Sequence, residues 1–416
     1  MRALDKVIGY EGIKRELYRI LDVLNNQEKY KALGVKTPKG VLLDGEPGIG
    51  KSLMANCFIE ESGRNSYVIR KDKPDGEFVD YIRETFERAE ENAPSIILLD
   101  DLDKFANEDV YHRDAEEYVT VQSCIDKVKG KEVFVIATSN KLHLLPNSLI
   151  RNGRFDKVYN MHFPKDEDAV KIISFYLEDK KVAGNIDVKE IARFCGGCSC
   201  ADLETIVNEA GVYAGYENRE EITQNDMKRA CMRKIYCTPE IEDEVPESVL
   251  RRRAIHEAGH AVMAEILNPG SVNFASITAK NRGEGGLVST HKPDGYYEIF
   301  ENKEKDILIT LAGKAATEIV FQETDIGSNS DMHKAFDIVR DILDSLTSYD
   351  FMSWCHGEET SQKIFDHLDS ATGTEVSRYY HKAKKILIDN REFLEVVAAE
   401  LLSKKTISYK EIAILR

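Results

Sequence analysis

The eight residues Gly45-Glu46-Pro47-Gly48-Ile49-Gly50-Lys51-Ser52 restrict the fold of this chain more than any other stretch. They follow a short apolar run, Val41-Leu42-Leu43, and precede a run of helical character, SLMANCFIEESG. The pattern G-x-x-x-x-G-K-S between a strand and a helix is a phosphate-binding loop. Its glycines let backbone N–H groups curl around phosphate oxygens, its lysine adds a positive charge, and its serine offers a hydroxyl to Mg²⁺. A loop of this kind works at the carboxyl end of a parallel strand, so it predicts an α/β sheet with ligands at the strand ends.

Two more apolar runs fit that sheet. Ser95-Ile96-Ile97-Leu98-Leu99 ends in Asp100-Asp101, carboxylates placed to hold Mg²⁺ and polarise a water. Val133 to Thr138 ends in Ser139-Asn140, a polar tip that can hold the same water. Arg151 and Arg154 follow the third strand, where contact with phosphate is expected. Ahead of the loop, residues 12–33 predict one helix by their apolar spacing. From about residue 165 to 237 the pattern turns helical, with helices over Asp187 to Phe194 and Asp202 to Gly215. The intervening Cys195-Gly196-Gly197-Cys198-Ser199-Cys200 reads as a turn, because no second C-x-x-C or histidine pair completes a zinc site. Residues 238–248, TPEIEDEVPES, read as a linker.

Beyond that linker stands a second motif, His256-Glu257-Ala258-Gly259-His260. Residues four apart share one helix face, so the two imidazoles can grip one zinc ion with Glu257 beside any water on the metal. Short strands are expected over Ser271 to Thr278 and Gly286 to Thr290, and helices over 303–321, 331–348 and, as a pair, 374–404. A chain of 416 residues is too long for one ordinary core. Its net charge of −16 argues against nucleic acid as a partner. No apolar run reaches the roughly 18–20 residues of a membrane span, and no signal peptide opens the chain. Eight scattered cysteines then point to reduced thiols and a cytoplasmic setting.

Together, KGVLLDGEPGIGKS, IILLDD, LIRNGRFD, CSCADLETIVNEA, AIHEAGHAV and GSNSDMHKAFDIVR resemble the FtsH-type AAA proteases, which are ATP-dependent zinc metalloproteases. The likeness runs from about Val7 to the C-terminus. It implies an α/β P-loop AAA ATPase core with a helical lid, followed by a mainly α-helical zinc metalloprotease domain. The corresponding ranges are 1–164 for the α/β part, 165–237 for the lid, 238–248 for the linker and 249–416 for the peptidase. ATP, Mg²⁺ and Zn²⁺ are the implied cofactors.

The resemblance also implies roles. Lys51, Ser52 and Asp100 hold Mg²⁺ and phosphate, with Gly45, Pro47, Gly48, Ile49, Gly50 and Leu53 completing the loop. Ile8 and Gly9 open the adenine pocket, and Tyr176 stands where the family often has a lid histidine against the base, a place where an aromatic ring can stack equally well. Asn140 senses the γ-phosphate. Arg151 and Arg154 match arginine fingers that reach a neighbouring subunit, which implies a homo-oligomeric ring, by analogy a hexamer. Glu257 is the general base, and His256, His260 and Asp331 are the zinc ligands. Glu318, on an intervening helix, is the competing third ligand.

The implied activity is ATP-driven unfolding and cleavage of unfolded or misfolded proteins, with substrate added as a strand beside Gly286 to Thr290. The alternative is a remodelling, chaperone-like AAA protein whose peptidase is weak or idle. Two departures bear on that choice. Asp101 stands where the family usually has glutamate, and in place of an aromatic-Val-Gly pore motif the chain has Phe78-Val79, whose ring suits a pore loop in shifted register or the core equally. Family members usually carry N-terminal membrane helices, so membrane contact is expected only through an anchor missing from these residues.

Overall fold

The computed structural model describes residues 2–106, 115–151, 153–238, 245–281, 284–292, 297, 299–323, 329–345 and 362–416. Asn152, residues 239–244 of the expected linker, Gly327 and Ser328, and positions 346–348 of an expected helix lie outside the described residues. The described chain divides into two compact units, Met1–Thr223 and Gln224–Arg416. The expected lid range, 165–237, runs across that division.

The first unit is built on five parallel strands: β1 (Gly40–Gly45), β2 (Asn65–Ile69), β3 (Ser95–Leu99), β4 (Val133–Ser139) and β5 (Lys157–Met161). Their order is β2-β3-β4-β1-β5. The inner strands β3 and β4 are buried throughout and β1 nearly so, while β2 and β5 carry exposed positions because they form the two edges. Parallel pairing demands crossovers, supplied by α3 (Lys51–Ser62), α4 (Asp75–Glu91) and α5 (Ala115–Lys127), three of the helices that follow α1 (Glu11–Asn25) and α2 (Gln27–Ala32). The single helix expected over 12–33 is therefore two. It breaks at Asn26, whose backbone leaves helical angles and whose side-chain amide donates to Asp22 Oδ1 at 2.7 Å. Leu17, Ile20, Leu21 and Leu24 recur on one face of α1 and are buried with Leu43, Phe58 and Phe134.

Connections from β1 and β4 leave in opposite directions across the sheet, which opens a crevice between their carboxyl ends. Three more helices complete this unit: α6 (Asp166–Leu177), α7 (Val188–Phe194) and α8 (Cys200–Tyr216). Ser199 and Asp202 form a capping box that starts α8. Among the described residues no cysteine forms a disulfide, and Cys195 and Cys198 are buried at the turn before α8.

The second unit opens with α9 (Gln224–Tyr236) and α10 (Glu247–Leu267). An antiparallel sheet of order β7-β6-β8 follows, from β6 (Val272–Asn281), β7 (Glu284–Thr290) and β8 (Thr406–Ser408). Its helices are α11 (Phe300–Phe321), α12 (Asn329–Ser345), α13 (Gln362–Asp389), α14 (Arg391–Lys404) and α15 (Tyr409–Leu415). α10 is buried on most sides, and small residues let it approach α11 closely. A Cβ at Gly259 would stand 2.5 Å from the Ala312 carbonyl oxygen and 2.7 Å from Ala316 Cβ. Ala258, Ala261, Ala312, Ala315 and Ala316 share this core.

Candidate active sites

In the first unit β1 runs directly into the phosphate-binding loop, and α3 begins at Lys51, so the helix's unpaired N–H groups face the crevice. Gly48 and Gly50 adopt φ of 79° and 95°, angles that residues with side chains rarely take. The start of α8 packs on the loop: the Ala201 N–H donates to the Gly48 carbonyl at 3.1 Å. Ile49 is buried beneath it, whereas Pro47 and Leu53 are exposed.

Lys51 is buried, and its ammonium donates to the carbonyls of Gly45 and Glu46 at 2.7 Å each. Burial lowers its pKa, opposed by the charges of Asp101, Asp44 and Asp103. Ser52 Oγ donates to Asp100 Oδ1 at 2.9 Å, and Thr138 Oγ1 donates to the same oxygen at 2.8 Å. Arg70 donates to Asp100 Oδ2 from Nε at 3.1 Å and also from Nη2. Burial alone would raise the Asp100 carboxyl, but hydrogen bonds from Arg70, Thr138 and Ser52 outweigh it and hold the group below its ordinary range.

Asp101 and Asn140 are brought together. The Asp101 carboxylate accepts from Asn140 Nδ2 at 3.1 Å and from Lys104 Nζ at 2.6 Å, and its N–H donates to Thr138 Oγ1 at 2.8 Å. Asp101 sits at φ 57°, a left-handed conformation uncommon outside glycine and characteristic of functional turns. The two arginines separate. Arg154 is 5% exposed and clamps Asp126 on α5, with Nη2 2.6 Å from Oδ2. Arg151 is exposed. Of the residues expected near the base, Ile8 is half-buried and Gly9 abuts α6, where a Cβ would meet Asp168 Oδ2 at 2.8 Å. The neighbouring Tyr10 hydroxyl donates to the His162 carbonyl at 2.7 Å. Tyr176 is half-buried on α6, with its hydroxyl 3.3 Å from Glu204 Oε2.

Phe78 lies in the core, fully buried on α4 and edge-on to Phe105 at 5.2 Å. A ring sunk there cannot serve as an exposed pore aromatic.

In the second unit, α10 and α12 converge on one point. His256 Nε2 and His260 Nε2 lie 3.1 and 3.3 Å from Asp331 Oδ2, and 3.1 Å from each other. A tetrahedral ion with bonds of about 2.0–2.1 Å sets neighbouring donors roughly 3.3 Å apart, so this donor set fits zinc. His260 Nδ1 lies 2.7 Å from the Ile309 carbonyl, which can only accept. The proton therefore sits on Nδ1, and the lone pair of Nε2 faces the site. Burial would lower the His260 pKa, but the hydrogen bond to Asp331 and the charges of Asp331 and Glu257 together outweigh it and raise the group. Burial would raise the Asp331 carboxyl, yet the two imidazoles hold it well below the ordinary carboxylate range.

Gly313 on α11 makes room for the pair, since a Cβ there would stand 2.7 Å from His256 Nε2 and collide with His260 Nε2. Glu318 points elsewhere, bonded to the Tyr380 hydroxyl and 3.3 Å from Lys384 Nζ. Glu257 is buried beside β7, where a Cβ on Gly286 would strike its Oε1. Among the described strands β7 pairs only with β6, so it is an edge strand of its sheet, and Gly286 on it lies next to that carboxylate.

The residues that sequence reasoning passed over are Tyr10, Arg70, Lys104 and Thr138. The signal for Arg70 was its place at the end of β2, level with Asp100, but β2 itself was not recognised.

Comparison with known proteins accounts for both sites. Residues 41–163 match the ATPase family associated with various cellular activities (AAA), residues 185–229 the AAA+ lid domain, and residues 245–415 peptidase family M41. The chain is similar to the ATP-dependent zinc metalloprotease FtsH 2 of Petrotoga mobilis, with 32% identity over 97% of this chain and 69% of that protein. FtsH 3 of the same organism is 31% identical over 98% and 67%, and the FtsH of Helicobacter felis 29% over 96% and 67%.

Proposed function

The chain belongs to the FtsH family of ATP-dependent zinc metalloproteases, and on that premise we propose how its residues divide the work. Lys51, the N–H groups at the start of α3 and a Mg²⁺ ion held by Ser52 and Asp100 neutralise the phosphates of ATP. Asp101, steadied by Asn140, orients the water that attacks the γ-phosphate. Ile8, Gly9 and Tyr176 border the base. Arg151 reaches the nucleotide of the next subunit in a ring, by analogy a hexamer. Arg154, clamped to Asp126 within its own subunit, positions the loop that carries Arg151. Hydrolysis then feeds unfolded polypeptide to the peptidase.

His256, His260 and Asp331 would hold zinc, which would supply a Lewis acid to activate water near neutral pH. Glu257 takes a proton from the attacking water and later delivers one to the leaving amine. The substrate backbone lies along the edge of β7, where pairing through main-chain groups tolerates many sequences. The observation that carries this reading is the meeting of two imidazole nitrogens and one carboxylate oxygen beside the buried Glu257.

The test is incubation of an unfolded protein with the enzyme and zinc, with or without ATP, alongside Glu257→Gln. Cleavage that needs both ATP and Glu257 is the expected result. Active ATP turnover without any cleavage would favour the remodelling alternative, and cleavage indifferent to ATP would detach the peptidase from the motor.

A further inference from the structure

Arg70 follows β2 directly, and the pairing of Ile69 with Leu99 sets it beside Asp100. The contrast within this pair is large: the arginine side chain is 61% exposed, while the carboxylate it holds is 2% exposed. The stem reaches from solvent to a buried acid.

An ionised carboxylate offers about four acceptor positions. Asp100 has four donors: the hydroxyls of Ser52 and Thr138 on Oδ1, and Nε and Nη2 of Arg70 on Oδ2. A divalent cation, or a water it carries, must displace one of them to reach this carboxylate. The Thr138 hydroxyl is fully buried and fixed by the N–H of Asp101. The Ser52 hydroxyl belongs to the loop that receives the cation. Arg70 is the donor that can withdraw, because its head returns to water and its long side chain needs no backbone movement.

We propose that Arg70 is an exchangeable counter-ion for Asp100, holding Oδ2 when the nucleotide site lacks a divalent cation and releasing it when Mg²⁺ arrives. This rests on the reading of Asp100 as the Mg²⁺-side carboxylate. The exchange makes cation binding a competition with a side chain. The apparent affinity for Mg²⁺ is then the intrinsic affinity multiplied by the fraction of molecules in which Arg70 has let go. In its Asp100-bound position the guanidinium also lies in the field of Asp101 and Asp72, which favours that position.

The test uses the full chain with Mn²⁺ as probe and a non-hydrolysable ATP analogue, bound Mn²⁺ being read by electron paramagnetic resonance. Arg70→Ala should bind Mn²⁺ about three- to tenfold more tightly than the parent, the gain expected when the competing form is removed. Arg70→Lys, which offers a point charge instead of a fork, should fall between the two. Unchanged or weaker binding in Arg70→Ala, with Asp100→Asn still losing affinity, overturns the exchange while leaving the site assignment intact. Undiminished Mn²⁺ binding in Asp100→Asn would remove the assignment of Asp100 and this inference with it.

Discussion

At Gly313 a hydrogen stands where any other residue would push a methylene between two imidazoles. The proposed zinc ligands come from α10 and α12, and Gly313 on α11 leaves the room in which they meet. Gly313→Ala should therefore reduce the zinc bound per chain, measured by atomic absorption after dialysis, and reduce peptide cleavage with it. Glu318→Ala should keep its zinc, because Glu318 is engaged with Tyr380 and Lys384. A second residue-scale prediction concerns acid. The Arg154 guanidinium beside Asp126 holds that carboxyl below its ordinary 3.8. A carboxylate depressed on folding stabilises the protein above its unfolded pKa, and the benefit is lost as pH falls through the folded value. Asp126→Asn should lower stability at neutral pH and flatten the decline below about pH 4, as followed by urea unfolding at a series of pH values. Asp126 is more than a third exposed, so solvent keeps the effect modest.

Among the elements, α10 and α11 cross closely. The Ala312 carbonyl lies where a Gly259 side chain would begin, and a backbone oxygen cannot rotate away. Gly259→Ala should cost about 1–3 kcal/mol in urea unfolding, the usual penalty for overfilling a packed core. The same helices show how far sequence alone can be read. His256, Glu257 and His260 were legible because four-residue spacing on a helix is itself a geometry. Asp331 needed a family resemblance, since nothing local links it to residues 75 positions earlier. The inner strands β1, β3 and β4 stood out as apolar runs because both faces are covered. β2 and β5 did not, because edge strands carry polar residues on their solvated positions, and Arg70 was lost with β2. Phe78 shows the reverse limit. Its neighbours in sequence suited a surface loop or a core equally, and only packing against Phe105 decides between them.

For the whole molecule, the parting of the two arginines shapes the expected assembly. Arg154 is bonded to Asp126 within this chain, so in the proposed ring we assign the intersubunit role to Arg151. Arg151→Ala should lower ATP turnover on the order of 10³-fold, the lower end of what an arginine finger contributes. Lys51→Ala should be inactive for a different reason. Rings mixed from these two variants should regain ATP turnover, because an intact loop of one then meets an intact finger of the other. Mixing without any gain would place Arg151 outside the intersubunit site. No helix among the described residues is long and apolar enough to cross a membrane. The site formed by His256, His260 and Asp331 has a further meaning at this scale. An ion held there would fasten together positions 75 residues apart, enclosing β6, β7 and α11 in one loop. Closing a free loop of that length costs chain entropy on the order of 4 kcal/mol, so such an ion would be a cross-link as well as a reagent. Zinc starvation would then leave the second unit easier to open, and a protease short of its metal would become a better substrate for other proteases.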